Sequence, residues 1–197
     1  MEQEVKEPDL NYGGLYTYAD YLKWTIEERF EIIKGKLFKM SPGPNTWHQI
    51  ITGDLFNQLY NFLKGRQCWV FVAPFDVRLP RKSKADKDIT TVVQPDVCVV
   101  CDPDKIDRKG CIGAPDIVVE VLSPGSNEKD IRNKYEVYEE AGVKEYWVVS
   151  PQDKTFFIYT LANGKFVPSR LMASGDIIHS NVLPGFTIDL SGLFALI

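Results

Sequence analysis

Two stretches of the chain are apolar and β-branched almost without a break, and each encloses a single carboxylate within its apolar run, Asp96 in one and Glu120 in the other. Thr91–Cys101 contains Gln94-Pro95-Asp96-Val97, and Asp116–Leu122 contains Ile117-Val118-Val119-Glu120-Val121. The second run has the pattern of a strand buried on both faces in the middle of a sheet. Between residues 46 and 64, Ile50, Ile51, Leu55, Leu59, Phe62 and Leu63 recur at helical period, and Gly65 stops that helix. A further helix is predicted from about Glu128 to Ala141, ended by Gly142, before another buried strand over Glu145–Val149 that a helical crossover would make parallel.

The rest of the chain follows from turn chemistry. Residues 1–16 read as a flexible N-terminal arm, and Thr17 as the N-cap of a short helix from Tyr18 to about Thr25, with a second short helical segment through Glu27, Glu28 and Arg29. Phe30–Met40 reads as a hairpin turning at Lys34-Gly35, and Ser41–Asn45 as a loop. Cys68–Ala73 and Phe75–Leu79 are extended, Arg81–Thr91 is a charged connector, and Asp102–Gly113 is a polar loop. Thr155–Leu161 and Phe166–Arg170 form a C-terminal hairpin, followed by a strand near Asp176–Ser180 and a short terminal helix. The prediction is one α/β domain over 17–197, a mixed sheet with a helix on each face.

Composition narrows the function classes. With 44% hydrophobic and 25% charged residues in 197, the chain has the make-up of a soluble globular protein with a full core. A formal charge of −4 argues against a protein that coats DNA, though a local basic patch is compatible with it. No run approaches the ~18 apolar residues of a membrane span, and Met1–Lys6 has no secretory pattern, so a cytoplasmic protein without membrane association is expected. The four cysteines include Cys98-Val99-Val100-Cys101, but residues three apart on a strand face opposite sides and no second pair is nearby. Buried free thiols are the expected state of all four.

Asp and Glu are poor strand formers and are rarely buried without a partner. If the two acidic strands pair, Asp96 and Glu120 converge on one divalent cation. Mg²⁺, with Mn²⁺ as a substitute, suits such a site, because it takes one or two carboxylates, waters and substrate phosphate oxygens. The backbone carbonyl of Val121 would be a third ligand, and a nearby lysine would hold the phosphate as a point charge. His48 begins the long helix, where its imidazole and nearby amides could meet a phosphate; the alternative is a hydrogen-bonding cap.

The order α–β–β–β–α–β, with Pro95-Asp96 on one strand and Glu120 on the next, resembles the PD-(D/E)XK nuclease superfamily. More specific strings resemble its Uma-two family of restriction-endonuclease-like proteins. They are Phe30-Glu31-Ile32-Ile33, Trp47-His48-Gln49, Phe75-Asp76-Val77-Arg78-Leu79, Val119–Pro124, Asp130 with Lys134, Gly142–Trp147 and Leu183-Pro184-Gly185. The resemblance implies a restriction-endonuclease-like core with added N-terminal helices and a C-terminal hairpin, and a Mg²⁺-dependent endonuclease acting on DNA with Asp96 and Glu120 as metal ligands. Leu122 stands where the superfamily places its lysine. Lys134 matches the position from which this family supplies it, with Asp130 as its orienting partner and Glu31 as the added acidic residue.

Other residues have weaker claims. Lys82, Lys84, Lys87, Gln49 and Arg78 could touch a DNA backbone. Trp147, Phe156, Phe157, Tyr159 and Phe166 would serve as a homodimer face. The rival functional class is a nuclease fold without turnover, used for nucleic-acid binding or assembly. Hydrolysis of a non-nucleic phosphoester is a third reading, and would need a small closed pocket.

Overall fold

The computed structural model describes residues 13–25, 28–40, 45–124 and 128–197, with the backbone alone for 128–130. In chain order the elements are α1 (Tyr18–Tyr21), β1 (Phe30–Ile33), β2 (Lys36–Lys39), α2 (Thr46–Leu63), β3 (Trp69–Val72) and β4 (Val77–Arg78). Then come β5 (Val92–Val93), β6 (Val97–Val100), β7 (Ile106–Asp107), β8 (Gly110–Ile112), β9 (Ile117–Val121) and α3 (Glu128–Ala141). The C-terminal part adds β10 (Glu145–Ser150), β11 (Thr155–Ala162), β12 (Lys165–Pro168), β13 (Met172–Ala173), β14 (Ile177–His179), β15 (Thr187–Asp189) and α4 (Leu190–Phe194).

The larger sheet runs β12-β11-β10-β9-β6-β3, with β13 also on β11. Within it α2, β3, β6, β9, α3 and β10 reproduce the expected αβββαβ order, antiparallel from β3 to β9 and parallel between β9 and β10. The apolar run of β9 follows from its place between β6 and β10, where all five residues are buried. Alternation along the strand sends Val119 and Val121 to one core, with Ile51, Leu55 and Leu59 of α2. Val118 goes to the other, with Val137 and Tyr138 of α3. Helices therefore cover both faces, as the sequence predicts.

A second sheet, β2-β1-β5-β4-β8-β7, lies beside it. The stretch Thr91–Cys101 is not one strand. It breaks at Gln94–Asp96, so that β5 pairs with β1 and β4 while β6 pairs with β3 and β9. The Asp102–Gly113 loop also folds further than expected, into the β7–β8 hairpin that docks on β4. Gly110 makes this approach feasible: its φ is +116°, and a Cβ there would lie 2.2 Å from the Asp76 carbonyl oxygen.

Three other expectations change. Cys68 and Cys101 form a disulfide, because the register Trp69↔Val100 sets them side by side one position further along β3 and β6. Cys98 and Cys111 are the buried free thiols, and burial pushes Cys111 up to about 12. The aromatics proposed for a dimer face are largely internal: Trp147 and Phe156 are buried in the core on the α2 side, Phe166 is buried in the core on the α3 side, and Phe157 and Tyr159 are half-buried against the latter. Residues 1–12 of the expected arm lie outside the described residues; beyond them, the Tyr16 N–H donates to the Gly35 carbonyl. The segment expected through Glu27 also falls partly outside them, and Glu28 and Arg29 are not helical. Among the described residues no helix is long and apolar enough to cross a membrane.

The C-terminal segment is fastened by a buried acid. Glu145 is fully buried and accepts from Trp147 Nε1 at 3.0 Å, Ser180 Oγ at 2.8 Å and the Asn181 N–H at 2.6 Å. Glu145→Ala leaves three donors unpaired, and at about 1 kcal/mol or more for each urea unfolding should show a loss of at least ~3 kcal/mol. Gln152→Ala, at an exposed turn, should shift the same curve by less than ~0.5 kcal/mol.

Candidate active site

The break at Gln94–Asp96 builds the site. It leaves Asp96 just before β6, one position off the Val97↔Val119 pair, where its Oδ2 accepts from the Val121 N–H at 2.8 Å. Glu120 points from β9 to the face that α3 covers. There Lys134 Nζ donates to Glu120 Oε1 at 2.9 Å and Oε2 at 3.0 Å. The same ammonium lies 3.1 Å from Glu31 Oε1. Glu31 alternates with Phe30 and Ile32, which fill a separate apolar cluster, so its carboxylate turns to the site instead of solvent. Its Oε1 also accepts from the Gln94 N–H at 2.8 Å, which ties β1 to the break.

His48 arrives from α2. Asn45, not His48, caps this helix, with Oδ1 accepting from the His48 N–H at 2.9 Å. The imidazole is buried, with Nε2 3.2 Å from Asp96 Oδ2 and Nδ1 3.3 Å from Thr52 Oγ1. The structure therefore gathers Glu31, His48, Asp96, Glu120 and Lys134 around one cleft of about 250 Å³, also lined by Val121, Leu122 and Gln49. Leu122 holds no charge there, and the ammonium at the cleft comes from Lys134 on α3. The side chain of Asp130 lies outside the described residues.

The other basic candidates are elsewhere. Arg78 is buried, pairs with Asp107 at 2.5 Å and lies over the Tyr18 ring, so it presents nothing to a ligand. Lys82, Lys84 and Lys87 are exposed and do not line the cleft. The cations at its mouth are Arg29 and Lys39, which sequence reasoning did not single out. It also missed Tyr138, a fully buried residue whose hydroxyl donates to Glu120 Oε1 at 2.8 Å. Tyr138 lies four residues after Lys134, hence on the same helix face, and that spacing was the available signal.

Burial raises Glu120 to about 7; Lys134 opposes this, while the Asp96 and Glu31 charges add to it. Burial alone would lower Lys134, but the Glu120 and Glu31 carboxylates outweigh it and hold the ammonium above its ordinary value. Burial, with the Glu120 charge beside it, pushes the Tyr138 hydroxyl well above its usual range, so it serves only as a donor. Glu120 therefore titrates at higher pH in the folded state, toward about 7, than in the unfolded chain, where it titrates near 4.5. The folded form then binds more protons across that window, and stability falls as pH rises through it, by at most about 1.4 kcal/mol per pH unit. Urea unfolding in EDTA between pH 4.5 and 7.5 should show this decline in the wild type and a flatter profile in Glu120→Gln.

Comparison with known proteins agrees with this architecture. A crystal structure from Anabaena variabilis ATCC 29413, of "a putative nuclease belonging to DUF820", superposes with a TM-score of 0.71 at 19% identity, covering 91% of this chain and 98% of that one. An uncharacterized protein of Synechocystis sp. (strain ATCC 27184 / PCC 6803 / Kazusa) is 28% identical over 145 residues, 71% of each chain. The model of the Uma2 family, described as "Putative restriction endonuclease", matches residues 18–191. Since that match takes in nearly all of the fold and every residue gathered at the cleft, the chain belongs to the Uma2 family.

Proposed function

We propose that the protein is a divalent-metal-dependent endonuclease that hydrolyses phosphodiester bonds of DNA. The observation that carries this reading is the convergence of Glu31, Asp96, Glu120 and Lys134 in a cleft at the strand ends. Two carboxylates, Glu31 and Glu120, meet one ammonium there and the Asp96 charge lies close by, and such a surplus of acidic groups calls for a cation.

The donor set fits Mg²⁺ or Mn²⁺ better than a softer metal, because the available side chains are carboxylates. Among the described residues, no three His, Cys, Asp or Glu side chains are grouped as a ready-made cage. The ion would then be held by Asp96, Glu120 and the Val121 carbonyl, with waters and substrate completing its shell. When bound, the ion would acidify a water and neutralise charge on the phosphoryl oxygens.

The chain's own residues supply the rest. Asp96 is held by the Val121 N–H and His48, and Glu120 by Tyr138 and Lys134, so both acids are oriented before a substrate arrives. The Lys134 ammonium would take a non-bridging phosphate oxygen as a point charge, and Glu31 would keep it poised. Arg29 and Lys39 at the mouth would hold neighbouring phosphates. The cleft is lined by exposed Arg29, Lys39 and Gln49, which favours a polymer laid across it over a ligand enclosed in a closed pocket.

The test is nicking of supercoiled plasmid with Mg²⁺ or Mn²⁺. Wild type should cut, EDTA should abolish cutting, and Asp96→Ala, Glu120→Gln and Lys134→Met should each lower the rate by about a hundredfold or more. Wild type that retains DNA on a gel without cutting it would sink the enzyme reading in favour of a binding module.

A further inference from the structure

The position of Lys134 bears on how the site is loaded. Its ammonium is within 3.0 Å of both Glu120 oxygens, where a cation shared by the whole carboxylate would sit. The ammonium donates to both Glu120 oxygens and pairs with Glu31 at 3.1 Å. Held between the two carboxylates, it is turned to them and not to a phosphate. Glu120 Oε1 already accepts from Tyr138 as well, and the ammonium lies 3.0 Å from the other oxygen, Oε2.

Resting on the proposed nuclease reading, we propose that Lys134 is an internal placeholder for the divalent ion. It clamps Glu120 to Glu31 while the site is empty, and it must turn away for the ion to load. Turning away costs charge-assisted hydrogen bonds in a buried setting. A phosphodiester offsets that cost by giving the ammonium a new partner. Metal and substrate then strengthen each other's binding, as any shared competitor requires by linkage. Asp96 is not part of the clamp, since its oxygen faces His48 and the Val121 N–H. It can receive the ion first, which makes Glu120 the gated ligand.

The experiment measures Mn²⁺ binding directly, from the electron paramagnetic resonance of the free ion. It uses the full chain at pH 8, with and without a phosphorothioate-linked oligonucleotide. Lys134→Gln should bind Mn²⁺ about ten- to a hundredfold more tightly than wild type in the absence of DNA, the equivalent of the hydrogen bonds no longer broken. Lys134→Arg, which keeps the charge, should bind it no more tightly than wild type. The oligonucleotide should tighten Mn²⁺ binding several-fold in wild type and hardly at all in Lys134→Gln. Weaker or equal Mn²⁺ binding by Lys134→Gln overturns the placeholder, even if plasmid cutting succeeds. Should Lys134→Gln fail to fold, the oligonucleotide arm in wild type decides alone: no tightening overturns the proposal. Failure of every variant to bind Mn²⁺ overturns both this proposal and the metal reading beneath it.

Discussion

The buried ion cluster of Lys134 with Glu120 and Glu31 is the constraint on which the rest of the site depends. One ammonium joins three elements distant in sequence, namely α3, the central strand β9 and the hairpin strand β1. An uncompensated carboxylate in the middle of β9 would cost several kcal/mol, so the sheet tolerates Glu120 only because α3 delivers Lys134 and Tyr138 to it. The second sheet is held to the first at the same place, through Glu31 and the Gln94 N–H. Fold and site therefore share their most expensive contact. Natural cores avoid such charges unless function needs them, which is a reason to look for chemistry here.

The chain order makes this arrangement economical. Asp96 and Glu120 lie on neighbouring strands, so their separation is set by the pairing Val97↔Val119. The helix that contributes His48 precedes those strands and the helix that contributes Lys134 follows, and they cover opposite faces of the sheet. Both reach the same cleft because it lies at the strand ends, where the faces meet. A site in the middle of either face could not combine the two helices.

Much of this was legible in the sequence, and the failures have physical causes. The long apolar stripe of α2, the unbroken run of β9 and the glycines at 65 and 142 act locally, and they marked the αβββαβ core correctly. The break at Gln94–Asp96 was hidden because Val92-Val93 and Val97–Val100 look like one strand; only the sheets they join tell them apart. The Cys68–Cys101 disulfide depends on the register of β3 against β6, which single-chain patterns do not encode. Arg78 looked like a DNA contact because arginine is normally exposed, yet Asp107 and the Tyr18 ring make its burial tolerable. Glu31 and Lys134 were named through family resemblance, not periodicity, because the contact between them spans more than 100 residues. Tyr138 was within reach of periodicity and was overlooked.

The charge of the whole chain bears on how such a protein would meet DNA. At −4 overall, and with lysines 82, 84 and 87 not lining the cleft, its net charge works against the non-specific affinity that basic proteins have for DNA. Arg29 and Lys39 are few, and Lys39 is already paired with Glu28. With Lys134 engaged by Glu120 and Glu31, the metal-free cleft presents a phosphodiester chiefly with carboxylates, which repel it. A divalent ion would reverse the sign of that local field and release the lysine for the phosphate. On the proposed reading, then, the metal is required for substrate binding as much as for the hydrolytic step. An acidic nuclease of this design would be quiet toward DNA until both ligands are present.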